Sequence, residues 1–405
     1  MTEEMHDLRE SREFLNLLLN NINTAVLVVN EGLRIQQVNG FFKSLFSISD
    51  MEDPDLTFGQ VSGCTFSVEE QKGCGKTTKC AQCALRKNLV SALLSQVPAD
   101  KVSLSRTFYI EGSPQEKHLE FTTRYVRFND RPMVLVLIYD VTELTVQRIR
   151  LTEEREQVQR DLQNAALIQQ NLLPISTQCQ NGLELAWEFA PSAQVGGDIF
   201  NVLQSPGPLT ALYMVDVCGH GVAASLVAVT ISQQLQNLSC RHCGGALPLP
   251  PAAVLNELEE VFPFDRFDTF FTCVYVLIDE SAGKITCAGA GHPPPLLVRS
   301  NGAVEKIATR GPAIGLTTFS RFHQVTLDFG PGDQILLYTD GVTEALGPDD
   351  SRFGMDRLLE ISGKFGGKPP KDLAGALFEG VARFAGPIEF EDDISIMAAR
   401  YMPRS

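Results

Sequence analysis

The sequence of 405 residues has no run of about 18 apolar residues, so we expect no membrane-spanning helix and no membrane partner. Positive charge is also scarce, since 34 Lys and Arg stand against 49 Asp and Glu and give a formal net charge of -15. No basic face is evident to offset phosphate repulsion, which argues against a nucleic-acid partner. The N-terminus, Met1-Thr2-Glu3-Glu4, lacks the basic start of a secretion signal. These absences predict a cytoplasmic protein.

Cysteine occurs ten times, and in a cytoplasmic chain these residues are better interpreted as thiols or metal ligands than as disulfides. Four of them lie close together, and the last two form a C-x2-C pair with chelating geometry: Cys64, Cys74, Cys80 and Cys83. They can form a tetrahedral zinc site, hold an iron–sulfur cluster, or remain unliganded thiols. If the cysteines bind a metal or a cluster, redox sensing by this site is an expected consequence. A second C-x2-C pair, Cys240 and Cys243, lies in a Gly/Pro-rich segment and is expected to have no such role.

The stretch from Leu212 to Leu226 organises the second half of the chain. An apolar, β-favouring run ends in Asp216, turns through two glycines and continues into a helix of small residues. Asp216 is therefore predicted at the end of a strand, where a metal ligand can be accessible. A turn-capping aspartate is the alternative interpretation of this stretch alone.

Three other acidic positions favour the metal ligand. Paired glycines precede Asp198, a predicted buried strand ends at Asp340, and Asp392 and Asp393 open the last predicted strand. Carboxylates at four strand boundaries, spread over about half the chain, suggest one cluster assembled by the fold. Hard oxygen ligands of this kind suit Mg²⁺ or Mn²⁺.

Six sequence motifs occur in one order between residues 165 and 400. They are Gly-Gly-Asp-Ile-Phe (196–200), Asp-Val-Cys-Gly-His-Gly (216–221), Ala-Gly-His-Pro-Pro (290–294), Gly-Pro-Ala-Ile-Gly (311–315), the run from Pro331 to Ala345, and Asp-Asp-Ile-Ser (392–395). Together they resemble the PPM metal-dependent serine/threonine phosphatases, most closely the SpoIIE/RsbU-type branch. The resemblance implies an α-β-β-α sandwich over residues 175–405, with a two-metal centre at one edge. It also implies a phosphoserine or phosphothreonine substrate on an anti-anti-sigma-like regulator.

The same resemblance assigns roles to the acidic residues. Asp216 would bridge two Mn²⁺ or Mg²⁺ ions with help from the backbone carbonyl of Val217, while Asp340 and Asp392 complete the shell of one ion. Asp198 would act mainly through a water ligand. Asp393 is either a further metal ligand or a residue that positions its neighbour. His220 and His292 are interpreted as residues that hold loops by hydrogen bonding rather than as general acids.

In the first third of the chain, strands are predicted over 24–29, 33–38, 118–128 and 133–139, with a helical segment at 41–46. With this pattern, residues 1–142 resemble a PAS sensor domain. The cysteine group lies inside this domain.

Residues 143–174 are predicted as one helical linker, since no Pro or Gly interrupts them before Pro174. Apolar residues recur every seven positions, as in a coiled coil: Leu144, Leu151, Val158, Ala165 and Leu172. The second seam position is mostly polar, with Arg148, Arg155, Leu162 and Gln169. The helix is either a solvated linker or one that shifts between two packings, and we expect a parallel homodimer.

The complete sequence therefore predicts an α+β protein with a PAS domain, a coiled-coil linker and a phosphatase domain. The leading interpretation is a sensor-regulated phosphatase. The alternative is a catalytically silent phosphatase fold that sequesters a partner under PAS control. The joint presence of Asp198, Asp216, Asp340 and Asp392 favours the enzyme, since a silent scaffold has no physical need for all four acids.

Overall fold

The computed structural model describes residues 14–15, 17–49, 53, 55–174, 182–204, 208–219, 221–241, 248–316 and 321–402. The chain divides into two compact units, Met1–Glu156 and Gln157–Ser405, each with its own hydrophobic core. Within the described ranges, no helix combines the length and the apolar character needed to cross a bilayer. His220, Cys243 and the side chain of Cys240 lie outside the described residues.

The N-terminal unit is built on one antiparallel sheet with the strand order β2-β1-β5-β4-β3. The strands are β1 (Ala25–Asn30), β2 (Ile35–Val38), β3 (Ala99–Ile110), β4 (Ser113–Phe128) and β5 (Arg131–Asp140). Between β2 and β3 lie α1 (Gly40–Leu45), α2 (Phe58–Val61), α3 (Thr65–Glu69), a 3₁₀ turn (Cys80–Gln82) and α4 (Ala84–Ser95).

A cluster of aromatic rings fills the core of this unit. Phe42, Phe46, Phe58 and Phe108 pack with ring centroids 5.1 to 6.2 Å apart, mostly in the edge-to-face geometry that the ring quadrupole favours. Because Phe108 lies on β3 and the others lie on or beside short helices, these contacts join the helices to the sheet.

Each predicted element of this unit overlaps an observed one, since β1, β2, β4, β5 and α1 lie at the expected places. Strand β3 has no predicted counterpart. Four of its twelve residues are buried, Ala99, Leu104, Phe108 and Ile110, and their spacing does not follow strict alternation. The pairing of β3 with β4 therefore compensates for a weak local pattern.

Helix α5 (Thr142–Gln170) covers most of the predicted linker. The Asp140 carboxylate accepts a hydrogen bond from the Thr142 backbone N–H at 2.9 Å, which satisfies one of the free donors of the first turn. Leu144, Leu151 and Val158 are 67%, 65% and 58% exposed. The apolar seam is therefore uncovered within the described part of this single chain.

The C-terminal unit contains two antiparallel sheets, with the orders β13-β10-β9-β8-β7 and β12-β11-β14-β15-β6. The strands are β6 (Leu183–Ala190), β7 (Asp198–Gln204), β8 (Leu209–Val217), β9 (Phe271–Asp279), β10 (Lys284–Ala290), β11 (Leu296–Val298), β12 (Val304–Lys306), β13 (Gln324–Asp328), β14 (Gln334–Tyr338) and β15 (Ile394–Tyr401). The helices are α6 (Val222–Arg241), α7 (Pro251–Val261), α8 (Phe264–Phe267), α9 (Asp340–Glu344), α10 (Gly354–Gly363) and α11 (Pro370–Ala385).

These elements form four layers. One core cluster joins buried residues of both sheets, such as Met214 and Met397, with residues of α6 and α7, such as Leu235 and Leu258. A second cluster lies on the outer side of the sheet that contains β14 and β15, and it joins that sheet to α10 and α11. The result is the expected helix–sheet–sheet–helix sandwich, in which the apolar side of every layer is buried.

Candidate metal centre

Two carboxylates face each other at one end of the first sheet. The register of β7 and β8 pairs Asp198 with Asp216, and β8 and β9 pair Asp216 with Thr272. Directly paired residues present their side chains on the same face of a sheet. Like charges in this position destabilise the sheet unless a proton or a cation lies between them. The pair is therefore typical of a cation site.

Asp198 is buried, with 2% of its surface exposed. Its Oδ2 accepts hydrogen bonds from Thr339 Oγ1 at 2.9 Å and from Ser395 Oγ at 2.6 Å. Thr339 follows β14 and Ser395 lies in β15, so both donors come from the second sheet. These bonds fix the carboxylate where the edges of the two sheets meet.

Asp393 holds the turn that precedes Asp198. Its Oδ1 accepts hydrogen bonds from the backbone N–H and the hydroxyl of Ser192, at 2.8 and 3.0 Å. Its Oδ2 accepts from the backbone N–H groups of Gly197 and Asp198, at 2.6 and 3.2 Å. A Cβ at Gly196 would overlap this carboxylate. Glycine at 196 is therefore explained by the close approach of the Asp393 side chain to the turn.

Asp340 and Asp392 complete the group. Asp340 begins α9 directly after β14, and Asp392 lies exposed just before β15. A Cβ at Gly341 would overlap the carbonyl oxygen of Asp393 and lie 3.5 Å from Cβ of Asp392. Glycine at 341 therefore allows the start of α9 to pack against the Asp-Asp segment.

The strand ends bring Val217 to the same place. A Cβ at Gly197 would lie 2.8 Å from the Val217 carbonyl oxygen, and the Val217 backbone N–H donates to the Gly197 carbonyl at 3.4 Å. The carbonyl oxygen predicted as a ligand thus lies beside the glycine turn that carries Asp198.

Burial and mutual repulsion shift the acidity of these residues. Burial, together with the charges of Asp340, Asp392 and Asp393, raises the pKa of Asp216 to about 7. Burial and the charges of Asp216 and Asp393 raise the pKa of Asp198 well above its ordinary value. Burial and the charge of Asp392 raise the pKa of Asp340. A bound cation would favour the ionised form of all three carboxylates.

One buried oxygen fits a cation directly. Oδ1 of Asp340 is buried and has no hydrogen-bond partner among the described residues, and a buried carboxylate oxygen without a partner is costly. No three described His, Cys, Asp or Glu side chains are already arranged around one ion position. The donor set is nevertheless all oxygen, which suits Mg²⁺ or Mn²⁺.

A family comparison agrees with this geometry. Residues 206–402 match the family model described as Stage II sporulation protein E (SpoIIE). The C-terminal domain is a SpoIIE-family domain. The matched residues include Asp216, Asp340 and Asp392, whereas Asp198 precedes them.

Two curated proteins are also similar to part of this chain. Protein IcfG of Synechocystis sp. is 28% identical over 261 residues, which cover 59% of this chain and 41% of that protein. Phosphoserine phosphatase RsbP of Bacillus subtilis is 27% identical over 192 residues, which cover 46% of this chain and 45% of that protein. The chain thus matches less than half the length of these curated relatives.

Among solved structures, the SiaA-PP2C domain of Pseudomonas aeruginosa matches with a TM-score of 0.54 and 22% identity, covering 61% of this chain and 98% of that one. The likeness shows that the SpoIIE domain has the PP2C-type phosphatase fold. The expected PPM sandwich is therefore confirmed.

Gln169, near the end of α5, reaches the turn that carries Asp198. Its Nε2 donates to the Gly196 carbonyl at 2.8 Å and to the Asp198 carbonyl at 3.4 Å, and its Oε1 accepts from the Gly196 backbone N–H at 3.1 Å. The residue is buried, with 3% of its surface exposed. The Gln169 amide therefore stabilises the turn that carries Asp198 in the SpoIIE domain. The seven-residue spacing alone does not indicate this contact.

His292 is buried beside the site. Its Nδ1 lies 2.7 Å from Oγ1 of Thr272, the residue paired with Asp216. Burial lowers the pKa of His292 to about 3. A neutral, hydrogen-bonded imidazole agrees with a loop-holding role rather than general-acid chemistry.

The four N-terminal cysteines also converge. Together with other residues they line one cavity of about 20 Å³ in the N-terminal unit. None of the seven cysteines whose side chains are described forms a disulfide. The sequence spacing thus corresponds to a spatial cluster.

Several residues of the carboxylate centre are not identified by sequence reasoning. Thr339, Ser395 and Ser192 orient Asp198 and Asp393, yet serines and threonines of this kind are common in loops and carry no distinctive spacing. Thr339 and Ser395 do lie within the family motifs, directly beside the predicted acids, and that adjacency is the signal that could have identified them.

Proposed function

We propose that this chain is a metal-dependent protein phosphatase that hydrolyses phosphoserine or phosphothreonine under the control of its N-terminal unit. The observation that carries the proposal is the convergence of Asp198, Asp216, Asp340 and Asp392 at the edge of the sandwich, in a domain of the SpoIIE family. These four residues are the proposed catalytic group.

The carboxylates are proposed to hold two Mg²⁺ or Mn²⁺ ions. Asp216 and the Val217 carbonyl would be shared, Asp340 and Asp392 would complete one shell, and Asp198 would bind through water. Bound ions of this kind supply positive charge for the phosphoryl oxygens and make water a better nucleophile. Asp393 is proposed to position the turn rather than to bind metal, since both its oxygens already accept two hydrogen bonds.

The protein's own residues prepare this centre. Thr339 and Ser395 hold the Asp198 carboxylate, and Asp393 holds the backbone of the turn, so that Asp198 stays opposite Asp216. Asp392 is exposed, which leaves one side of the cluster open to solvent. A phosphorylated side chain on the surface of a protein can approach from that side.

The substrate proposal is a phosphoserine or phosphothreonine of an anti-anti-sigma-like regulator. The similarity to RsbP of Bacillus subtilis, a phosphoserine phosphatase, supports phosphoserine. No nucleophilic residue is required, and the exposed Cys218 next to the site is not assigned a chemical role.

The regulatory proposal concerns residues 1–142 as a PAS sensor, 143–174 as a coiled-coil linker and 175–405 as the phosphatase. A single antiparallel sheet packed against short helices supports the sensor, and the uncovered seam of α5 supports a parallel homodimer. The cysteine cluster is proposed to bind zinc or an iron–sulfur cluster as part of the sensor. The protein is proposed to act in the cytoplasm.

The second candidate function is a silent phosphatase fold that binds and sequesters its partner. It differs from the enzyme in one observable, the turnover of a phosphomonoester. The buried, unpartnered oxygen of Asp340 favours the enzyme, since a silent scaffold gains nothing from it.

The first experiment measures hydrolysis of p-nitrophenyl phosphate with Mn²⁺ by wild type, by Asp216→Asn, and by wild type with EDTA. We expect metal-dependent turnover that falls by roughly two orders of magnitude or more in Asp216→Asn, since the bridging carboxylate is lost. Asp328→Asn, an exposed change away from the site, is the matched control.

Absence of turnover in wild type leaves two explanations, inhibition by the N-terminal unit or a silent fold. The assay is therefore repeated with a phosphoserine protein substrate and with residues 175–405 alone. No turnover under any of these conditions would support the sequestering module instead.

A further inference from the structure

We propose that Cys64, Cys74, Cys80 and Cys83 form a structural site for one Zn²⁺ ion in the N-terminal unit. This refines the broader proposal that these cysteines bind zinc or an iron–sulfur cluster, and it is independent of phosphatase activity. The geometry that points to zinc is a cavity of single-ion size lined by all four thiols and by two arginines.

The four thiols come from separate parts of a loop-rich segment. Cys64 precedes α3, Cys74 lies in the loop that follows, and Cys80 and Cys83 enclose the 3₁₀ turn before α4. A Cβ on Gly59 would lie 3.0 Å from Sγ of Cys74 and 3.5 Å from Cβ of Cys64. Glycine at 59 therefore leaves space for both cysteines to approach the same point.

Hydrogen-bond donors surround the sulfur atoms, as is usual around metal-bound thiolates. The Gly75 backbone N–H donates to Sγ of Cys80 at 3.0 Å, and the Thr77 hydroxyl lies 2.9 Å from the same sulfur. One nitrogen of Arg106 donates to Sγ of Cys64 at 3.6 Å and to Sγ of Cys83 at 3.8 Å. Apolar burial alone does not explain so many donors directed at sulfur.

The charge of such a site is balanced locally. Four thiolates and one Zn²⁺ carry a net charge of about -2, and Arg86 and Arg106 both line the cavity. Gly75 has φ +97°, and a Cβ there would overlap the Arg86 guanidinium. Cys83 is also the N-cap of α4, so the site lies at the start of that helix. Binding would release the four thiol protons to solvent.

The size of the cavity favours a single zinc ion over an iron–sulfur cluster. A volume of about 20 Å³ accommodates about one water-sized sphere. One zinc ion fits it, whereas a cluster of several irons and sulfides would need the walls to move apart. Within the described residues, no three ligand side chains already surround one ion position, so zinc binding would draw the cysteine side chains that line this cavity closer together.

The physical benefit of zinc is stability. Between β2 and α4, the elements among the described residues are short helices and a 3₁₀ turn, and short elements bury little apolar surface by themselves. A tetrahedral thiolate site would join Cys64 to the start of α4 and so close this segment.

The test is elemental analysis of the full-length protein with four variants. We expect about one zinc per chain in wild type and nearly none in Cys80→Ser or Cys83→Ser, because both remove a ligand. Cys287→Ala, a buried thiol in the SpoIIE domain, and Asp216→Asn, in the carboxylate centre, should both keep the zinc. Loss of zinc from Asp216→Asn but not from Cys80→Ser would place the metal in the carboxylate centre and overturn the proposal.

A second measurement remains informative if the serine variants do not fold. Wild type is stripped of metal and titrated with Co²⁺, which at a four-thiolate site gives intense tetrahedral bands and sulfur-to-cobalt charge transfer. Carboxylates cannot give the sulfur band, so its absence overturns the proposal. Iron with acid-labile sulfide would overturn zinc but keep the broader metal proposal, and protein without metal or cobalt–thiolate absorption would overturn both.

Discussion

At the scale of single residues, the two adjacent aspartates at the start of β15 have different environments. Asp393 is 4% exposed and accepts four hydrogen bonds from Ser192, Gly197 and Asp198. Asp392 is exposed and contributes negative charge near Asp216 and Asp340. The same side chain therefore serves structure at one position and, we propose, metal binding at the next.

This difference predicts that an Asp-to-Asn substitution affects stability at one of the two positions and metal binding at the other. Asp393→Asn would direct an amide N–H group at backbone donors, and we expect it to lower the free energy of unfolding by about 1–3 kcal/mol. The side chain of Asp392 accepts a hydrogen bond from the Asp393 backbone N–H at 2.8 Å, and the amide oxygen in Asp392→Asn can still accept it. We therefore expect the free energy of unfolding to change by less than about 0.5 kcal/mol. We expect Mn²⁺ binding to be weaker.

Urea unfolding in EDTA measures the first quantity, and Mn²⁺ titration measures the second. Each variant is the matched control of the other. If Asp393→Asn leaves stability unchanged while reducing Mn²⁺ affinity as much as Asp392→Asn does, Asp393 is a ligand and its positioning role is wrong.

At the scale of secondary-structure elements, strand register decides whether the site exists. Asp198 and Asp216 face each other because β7 and β8 pair in one register. A shift of one residue would place Asp198 on the opposite face of the sheet. Asp393, Thr339 and Ser395 hold this end of β7 from the second sheet, which stabilises both the register and the carboxylate.

The contact between α5 and the glycine turn gives a prediction at the same scale. Gln169→Ala removes the side-chain oxygen that accepts from the Gly196 backbone N–H and the side-chain N–H that donates to the Gly196 carbonyl. Leaving buried backbone groups without partners lowers stability by about 1–3 kcal/mol. We expect Mn²⁺-dependent hydrolysis to fall about tenfold or more, because Asp198 loses part of its support. Gln170→Ala, at the exposed next position, should retain wild-type activity.

Steady-state hydrolysis as a function of Mn²⁺ concentration separates the causes. Mispositioning of Asp198 should raise the Mn²⁺ concentration needed for half-maximal activity. Equal activity of the two glutamine variants would show that the end of α5 does not support the centre.

At the scale of the whole molecule, α5 presents an apolar seam that the described part of the chain leaves exposed. Leu144, Leu151 and Val158 are each more than half exposed, whereas a coiled-coil seam is stable only when a second helix buries it. This exposure favours a second copy of the chain as the partner that buries the seam, in the parallel homodimer predicted from the seven-residue repeat.

The corresponding prediction is a dimer that depends on the seam. Leu151→Glu places a charge at a seam position, and we expect light scattering at micromolar concentration to change from dimer to monomer. Glu153→Gln, an exposed change outside the seam, should leave the dimer intact. Wild-type protein that is monomeric throughout this range would contradict the coiled-coil interpretation.

The sequence by itself determined the local features of this protein. Two short strands around a turn predicted β1 and β2, alternation of apolar residues predicted β4, a continuous apolar run predicted β5, and the absence of Pro and Gly predicted α5. The acids at strand boundaries and the ordered motifs predicted the metal centre and the family of the C-terminal domain. Such signals are readable because each depends on neighbours within a few residues.

Only the tertiary structure decided which side chains support the site. Ser395 donates to Asp198 across 197 residues of sequence, and Asp393 reaches Gly197 across 196. No local pattern records a pairing at that distance, which is set by the stacking of two sheets. The same holds for Gln169, which the seven-residue repeat assigns to a seam position but whose amide binds the glycine turn. Spacing likewise identified the cysteines, whereas the cavity they share came from folding of the loops around them.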